Sequence, residues 1–246
     1  MRRIHLILEY DGTNYAGWQR QANALSVQEV VERAVRKLTG ETVCVHGASR
    51  TDAGVHALGQ SAHFDTESRV PADKFSYALN TILPPDVRVQ LSEEVPPDFH
   101  ARFSGKGKRY RYSILARPHA GALTRNTHAH VIYPLDAARM DAECADLVGT
   151  HDFSAFAASG SLVKDCVRTV YTARVTREGD ALYLDIVGSG RMEPGAFRRA
   201  IESGSRLDLG VTAPAHGLTL MEVFYDDSIL DCARRIAGTG RKGESK

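Results

Sequence analysis

The sequence predicts an α+β fold made of two halves, each with an antiparallel sheet that carries helices on one face. Two observations favour this class. Segments with the alternating pattern of half-buried strands are interspersed with segments in which apolar residues recur at helical spacing. The 246 residues are also enough for one large domain or two small domains with real cores.

The first predicted elements are a strand, a loop and a helix. Residues 3–10 alternate as a strand, and Asp11-Gly12 turns the chain into a polar, aromatic loop over residues 13–21. The sequence Ser-Val-Gln-Glu from Ser26 is a capping box, which predicts a helix start. Gly40 predicts the end of this helix, because glycine readily adopts the left-handed conformation.

A β-branched run at residues 42–45 predicts a buried strand, and residues 60–64 predict the strand that follows the next loop. A second helix is expected over residues 72–82, since Pro84-Pro85 stops it. The remaining predicted elements are strands at residues 87–95, 108–116 and 218–224, helices at 136–147 and 193–203, and a hairpin of residues 169–175 and 181–187.

Composition indicates an ordinary globular protein, with 43% hydrophobic and 25% charged residues. No apolar run approaches the roughly 20 residues that span a bilayer. The N-terminus enters a strand directly and lacks the apolar core of a signal peptide. We therefore expect a cytoplasmic protein.

The cysteines and histidines do not predict a metal site. The four cysteines are widely spaced and form no Cys-x-x-Cys pair. Cys44 and Cys144 lie within apolar patterns and are expected to be small core residues. His56 and His63 are seven residues apart without the spacing of a metal clip, so we expect no bound metal.

Positive charge is concentrated in one stretch, although the net charge is only +1. Residues 99–117 contain six arginines and lysines and no acid, with three aromatic residues interleaved. This combination suits phosphate contact and base stacking in an RNA-binding surface. It is also typical of a solvated edge strand that is protected by charge.

The most informative segment lies between the predicted strands at residues 42–45 and 60–64. It brings together Arg50, Thr51, Asp52 and Gly54, and a glycine lets the backbone approach a ligand closely. A carboxylate beside a guanidinium stays ionised and can act as a nucleophile or a base. The alternative is a turn in which the aspartate caps its own backbone.

The segment GASRTDAGVHALGQSAHF closely resembles the active-site motif of the tRNA pseudouridine synthase A (TruA) family, which reads G-R-T-D-A-G-V-H-A. Ser49 replaces the usual glycine. The similarity extends over nearly the whole chain and includes EYDGTNYAGWQRQ, SVQE, DFHARFS, KRYRY, HDFSAF and AHGLTLMEVFY, in the family's order.

The resemblance implies a pseudouridine synthase fold, with two α/β lobes flanking a central cleft. The N-terminal lobe would cover residues 1–97 and the C-terminal lobe residues 98–235, followed by a disordered tail at 236–246. The implied enzyme is an isomerase that converts uridine to pseudouridine at positions 38 to 40 in the anticodon stem-loop of tRNA. The family needs no cofactor and acts as a homodimer.

Residue roles follow from the same resemblance. Asp52 is the expected nucleophile, attacking either C1′ of the sugar or C6 of the base. Tyr110 is expected to stack on the uracil and Leu218 to line its pocket, although each also fits an ordinary strand. Arg50 serves either the RNA or Asp52, and His56 is expected to fix the loop. The expected RNA-binding residues are Phe99, His100, Ala101, Arg102, Phe103 and Arg109.

One departure from the family pattern follows Gly190. The family continues there with G-x-x-F-L-x-x-M-V-R and a long helix, whereas this chain passes directly to Arg191-Met192-Glu193-Pro194. The arginine that pairs with the catalytic aspartate is lost with that segment, and the context of Arg191 does not match it. The alternative function is therefore a catalytically impaired relative that binds or folds tRNA.

Overall fold

The computed structural model describes residues 1–153, 166–189 and 213–238. It is an α+β structure with mainly antiparallel strands, as the sequence predicted. Contacts divide the chain into an N-terminal unit, Met1–Gly105 with Thr219–Val223, and a C-terminal unit, Lys106–Leu218 with Phe224–Lys246. The division falls at Gly105 rather than near residue 97, because Arg3 and His63 bind the backbone of residues 97–101 to the N-terminal unit.

The sheet of the N-terminal unit is built around a long central strand. Its strands are β1 (Arg2–Tyr10), β2 (His46–Gly47), β3 (His56–Thr66), β4 (Val87–Val95) and part of β10 (Leu218–Phe224). Strands β4, β1 and β3 pair antiparallel in that order. Strand β3 also pairs antiparallel with β2, and its first residues pair parallel with Thr219 and Leu220 of β10.

Two helices belong to this unit. Helix α1 (Val27–Thr39) begins where the Ser26 hydroxyl accepts the Glu29 N–H, and it ends at Gly40, whose φ is +79°. Helix α2 (Phe75–Asn80) follows a single 3-10 turn at Ala72–Lys74, so the predicted second helix is present but shorter. The core contains the fully buried side chains Ile4, Leu6, Leu8, Phe64 and Phe75, as the alternation in β1 predicted.

The strand predicted at residues 42–45 is wrong. In this segment the pairing with β3 begins only at His46 and Gly47. The Val45 N–H donates instead to the Glu32 carboxylate of α1 at 3.1 Å. Cys44 is exposed rather than part of the core, because no strand pairing imposes an inward direction on its side chain. Cys144 is buried, as expected.

The C-terminal unit has its own sheet. Its strands are β5 (Gly107–Ala116), β6 (Ala129–Val131), β7 (Gly149–Asp152), β8 (Val167–Glu178) and β9 (Ala181–Ser189). Strands β5, β9, β8 and β7 pair antiparallel in that order, and β6 pairs parallel with β5. The predicted hairpin is confirmed, with Gly179 at a φ of +60° in its turn. Strands β6 and β7 were not predicted, because they are too short to show an alternation of apolar and polar residues.

Helix α3 (Ala137–Cys144) begins at Asp136, whose carboxylate accepts the Arg139 N–H, and a 3-10 turn extends it to Leu147. Helix α4 (Ser228–Gly238) was not predicted, and it packs Ile229 and Ile236 into a cluster with Val187. It includes residues 236–238, which were expected in the tail. Residues 239–246 and the helix expected at 193–203 lie outside the described residues. None of the helices in the described ranges is long and apolar enough to cross a membrane.

Candidate active site

Residues 48–55, which we call the Asp52 loop, connect β2 to β3. Its first residues are bound to the central strand, since the Ala48 N–H donates to the Ser61 carbonyl at 2.8 Å. The side-chain amide of Gln60, which is fully buried, bonds Ser49 twice. Its oxygen accepts the Ser49 N–H at 3.3 Å and its nitrogen donates to the Ser49 carbonyl at 2.7 Å. These bonds set the direction in which the loop leaves the sheet.

The loop after β1 supports the Asp52 loop from the other side. The Trp18 N–H donates to the Thr51 carbonyl at 3.0 Å, and the Gly54 N–H donates to the Tyr15 carbonyl at 3.3 Å. The hydroxyls of Tyr10 and Thr51 share a buried hydrogen bond of 2.7 Å. The motif EYDGTNYAGW therefore has a structural role, which is to hold the backbone on both sides of Asp52.

Glycine is required where these two loops touch. Gly17 has a φ of +89°, and a Cβ there would overlap the Thr51 carbonyl oxygen. A Cβ at Gly12 would overlap the Val55 carbonyl oxygen. The loops consequently approach to backbone contact, which only residues without a side chain allow.

His56 fixes the same loop, as expected. Its ring is buried, and Nδ1 accepts the Gly12 N–H at 3.0 Å. The Asp11 carboxylate lies 3.1 Å from the same Nδ1. Burial raises the pKa of Asp11, but hydrogen bonds from Thr13 and the proximity of His56 outweigh it and leave the pKa below its usual value.

Asp52 itself is exposed, and so is Arg50. Within the described parts of the chain, no guanidinium forms an ion pair with Asp52 and no backbone amide donates to its carboxylate. The carboxylate is therefore not a cap of its own turn, which removes the alternative interpretation of the motif. Tertiary contacts position Asp52 through its backbone and leave its side chain open to solvent. Arg191 lies outside the described residues.

The segment Phe99–Phe103 packs beside β3 in the same unit. The Arg3 guanidinium donates to the carbonyls of Pro97 and Phe99 at 2.6 and 2.7 Å, and it binds both oxygens of Asp65. The Ala101 N–H donates to Nδ1 of His63 at 3.2 Å. Ala101 is fully buried, so its side chain has no surface to offer RNA, in contrast to the role expected from the resemblance.

Three imidazoles and a phenyl ring form a stack in this region. His63 stacks on His46 with ring centroids 5.1 Å apart and meets the edge of His100 at 4.6 Å. His100 in turn lies 4.4 Å from Phe103, which is 76% exposed and has the Arg102 guanidinium over its ring. Burial, followed by the positive fields of His100 and Arg3, lowers the pKa of His63 to about 4. The stack therefore ends in an exposed ring beside an exposed cation.

The other expected site residues belong to the C-terminal unit. Tyr110 on β5 is buried, and Leu218 is the first residue of β10, with intermediate exposure. Arg109 donates two hydrogen bonds to Asp185 of β9, at 2.9 and 3.0 Å. Sequence analysis missed Asp185, because it lies 76 positions from Arg109 and belongs to a different strand. Strand β5 pairs with β9 along nearly its whole length, and its residues 114–116 also pair with β6, so this end of β5 is not a sheet edge.

No group of three or more histidine, cysteine or acidic residues with the arrangement of a metal site occurs in the described portion of the chain.

A family model described as tRNA pseudouridine synthase matches residues 6–104 and 144–195, which is more than half of the chain. The chain is 45% identical over 245 residues to tRNA pseudouridine synthase A of Ruminiclostridium cellulolyticum and 47% identical over 244 residues to that of Acetivibrio thermocellus. A protein of the same name from Geotalea uraniireducens is 39% identical. Each alignment covers 92% of this chain and 100% of the relative. The chain therefore belongs to the tRNA pseudouridine synthase family, a class of isomerases.

The alignments also indicate that this chain lacks residues that its relatives have. Alignments of 244 or 245 residues use only 92% of this 246-residue chain, so part of each relative has no counterpart here. This difference agrees with the absence of a family segment that the sequence indicated.

The contact between Gly17 and Thr51 can be tested with two alanine substitutions. Gly17→Ala should lower the free energy of unfolding by about 1–3 kcal/mol and isomerase activity by at least about tenfold, because the displaced Thr51 carries Asp52 with it. Gly40→Ala is the control, since Gly40 also has a positive φ but nothing within 4 Å of a Cβ. It should cost about 1 kcal/mol and leave activity unchanged. Denaturant titration measures the stability of both variants, and turnover measurements give their activities. If the two variants are equally active, the contact between Gly17 and Thr51 does not position Asp52.

The buried imidazole of His63 predicts a pH dependence of stability. Its pKa is about 4 in the folded protein, against a usual value of 6.5. Between these values the unfolded chain binds a proton that the folded chain does not, so this contribution to stability is lost as the pH falls from 6.5 towards 4. His63→Asn keeps an acceptor for the Ala101 N–H. Its melting temperature should fall less between about pH 7 and pH 5 than that of the parent. Substitution of the exposed His119 by Asn should leave the parental loss intact; the same loss in the His63 variant would refute the assignment.

Proposed function

We propose that this protein isomerises uridine to pseudouridine in tRNA, at positions 38 to 40 of the anticodon stem-loop, and that it acts in the cytoplasm as a homodimer. The observation that carries the proposal is the Asp52 loop, where the family motif stands on a backbone bonded from two sides with its carboxylate exposed. The names of the relatives, tRNA pseudouridine synthase A, support tRNA as the substrate.

The reaction adds and removes no atoms, which suits a site that offers a single carboxylate nucleophile. Asp52 attacks C1′ of the ribose or C6 of the uracil, and the bond between the base nitrogen and C1′ breaks. The uracil turns, its C5 forms the new bond to C1′, and the carboxylate leaves unchanged. Loss of the proton from C5 and uptake of a proton by N1 complete the isomerisation. A covalent intermediate divides one difficult step into two easier ones. No cofactor is needed for this sequence of steps.

The target uridine lies in a helical stem and must leave the stack to reach Asp52. Tyr110 is proposed to stack on the extruded uracil and to offer its hydroxyl as a hydrogen-bond donor or proton relay. Leu218 is proposed to pack against the same base. Arg50, which is exposed and lies two positions from Asp52, is proposed to bind the RNA backbone or to steady the carboxylate.

Recognition of the stem is proposed to depend on backbone phosphates more than on base edges. In the N-terminal unit, Arg102 and Phe103 are exposed beside each other, which suits a phosphate contact next to a stacking surface. The ring of His100 contacts that of Phe103, and the ring of Phe99 contacts His63, which itself meets His100. Phe99 and His100 are therefore proposed to support this RNA-binding surface. Arg109 contributes a cation from the C-terminal unit.

Replacement of Asp52 tests the catalytic assignment. Asp52→Asn keeps the shape of the side chain but removes the nucleophile, so isomerisation should be abolished while tRNA affinity stays nearly unchanged. The measurement is mass-spectrometric mapping of pseudouridine in tRNA treated with each purified protein. Asp73→Asn, which neutralises an exposed aspartate outside the loop, is the control and should keep parental turnover. Turnover of the Asp52 variant within about tenfold of the parent, or roughly 1.4 kcal/mol in the barrier, would remove Asp52 from this role.

Replacement of Arg102 tests the RNA contact. Arg102→Ala should weaken tRNA binding and reduce the slope of log Kd against log salt by roughly 0.7–0.9, the value of one phosphate contact. Arg33→Ala is a matched control, because Arg33 is an exposed arginine on α1 that pairs with Glu29. Its slope should equal that of the parent. If the slope is unchanged in both variants, Arg102 is an exposed residue that makes no phosphate contact.

A further inference from the structure

A buried carboxylate on β9 holds two arginines of β5. Asp185 stands directly opposite Arg111 in the strand register, and its side chain is buried. One carboxylate oxygen accepts two hydrogen bonds from Arg109, and the other accepts the Arg111 Nη2–H at 2.8 Å. The Arg111 Nε–H lies 3.2 Å from both oxygens. Each guanidinium is thereby fixed through the same edge, which joins Nε and Nη2.

This group, which we call the arginine fork, carries more positive charge than its own structure needs. Two cations share one anion, although their side chains are only 22% and 31% exposed. In the described part of the chain neither arginine forms a second ion pair, although Glu178 adds a weaker electrostatic attraction to Arg111. Among the same residues, the Nη1 group of each arginine donates to no protein acceptor. A single arginine would satisfy the carboxylate, and a second half-buried cation costs desolvation free energy. The second arginine is therefore unexplained by the fold alone.

An aromatic surface adjoins the fork. The Arg111 guanidinium lies over the ring of Tyr183, 4.9 Å from its centroid, and the ring of His128 meets Tyr183 edge-on at 5.9 Å. Burial lowers the pKa of His128, so its ring is neutral near pH 7. The face thus combines a fixed pair of guanidinium groups with an uncharged aromatic surface. Nucleic acids are bound by this combination, in which arginines contact phosphates and rings contact a sugar or base.

We propose that the arginine fork, together with Tyr183, is a docking surface for a backbone phosphate of tRNA outside the reacting nucleotide. The proposal rests on the proposed function, which makes tRNA the polyanion that this protein meets. Tyr110 lies between Arg109 and Arg111 in β5, so its side chain points to the opposite face of the strand. The fork therefore contacts a part of the tRNA other than the base on which Tyr110 stacks. A fixed guanidinium pair matches the oxygens of one phosphate better than two mobile lysines would.

The test is the salt dependence of tRNA binding. Arg111→Gln removes one charge and keeps an amide that can bond Asp185. It should reduce the slope of log Kd against log salt by roughly 0.7–0.9 and raise KM, while kcat at saturating tRNA stays within about twofold of the parent. Arg174→Gln is the matched control. Arg174 is 24% exposed and pairs with Asp141, which neutralises it, so the slope of this variant should not change.

Arg109→Gln removes the other guanidinium of the fork and should reduce the slope of log Kd against log salt by the same roughly 0.7–0.9. It decides the question if the Arg111 variant does not fold. Folded variants of either kind that bind tRNA with the parental slope would overturn the proposal and leave the fork as a structural tie between β5 and β9. This failure is distinct from failure of the proposed function. If the parent forms pseudouridine and the variants keep the parental slope, the docking role of the arginine fork is refuted and the proposed function stands. A parent that binds tRNA without forming pseudouridine refutes the activity, and the slopes still decide the fork.

Discussion

The hydrogen bonds that join the Asp52 loop to β3 and to the loop after β1 are the constraint on which the candidate site depends. Gln60, Tyr10 and the Trp18 N–H satisfy backbone and hydroxyl groups that have left water, and each such group would cost about 1–3 kcal/mol if it were left unpaired. These bonds are specific in direction, so together they favour the observed conformation of the loop. The carboxylate of Asp52 is then presented to solvent, and among the described residues no side chain pairs with it.

This arrangement separates the position of Asp52, the proposed nucleophile, from the electrostatics of its side chain. Because Asp52 is held by its backbone, a substitution of its side chain leaves the loop intact, and a substitution in the supporting loop moves the carboxylate without changing its chemistry. Reacting groups that are already placed lose less entropy when the substrate binds, which lowers the barrier. Because the carboxylate is exposed, a bound nucleotide can complete its immediate surroundings.

Charge is distributed differently in the two units. In the N-terminal unit, Arg3 is neutralised by Asp65 and serves the backbone of residues 97–99, which leaves Arg102 as the exposed cation at the end of the imidazole stack. In the C-terminal unit, the basic run on β5 is partly neutralised by Asp185 from β9. A net charge of +1 for the chain therefore conceals two local surfaces on which, within the described ranges, guanidinium groups keep hydrogens that no protein acceptor takes. Local pairing, rather than the total, decides which arginines remain for a phosphate.

The sequence by itself determined the class of fold, most strand and helix positions, and the motif around Asp52, because periodicity, capping residues and a conspicuous motif are local properties of the chain. It also indicated a loop-fixing role for His56. Only the tertiary structure decided that residues 42–45 are not a strand, that Cys44 is exposed, and that Arg109 and Arg111 share a carboxylate 76 and 74 positions away. Burial and ion pairing depend on which distant strands become neighbours, and no local pattern around one residue encodes that choice.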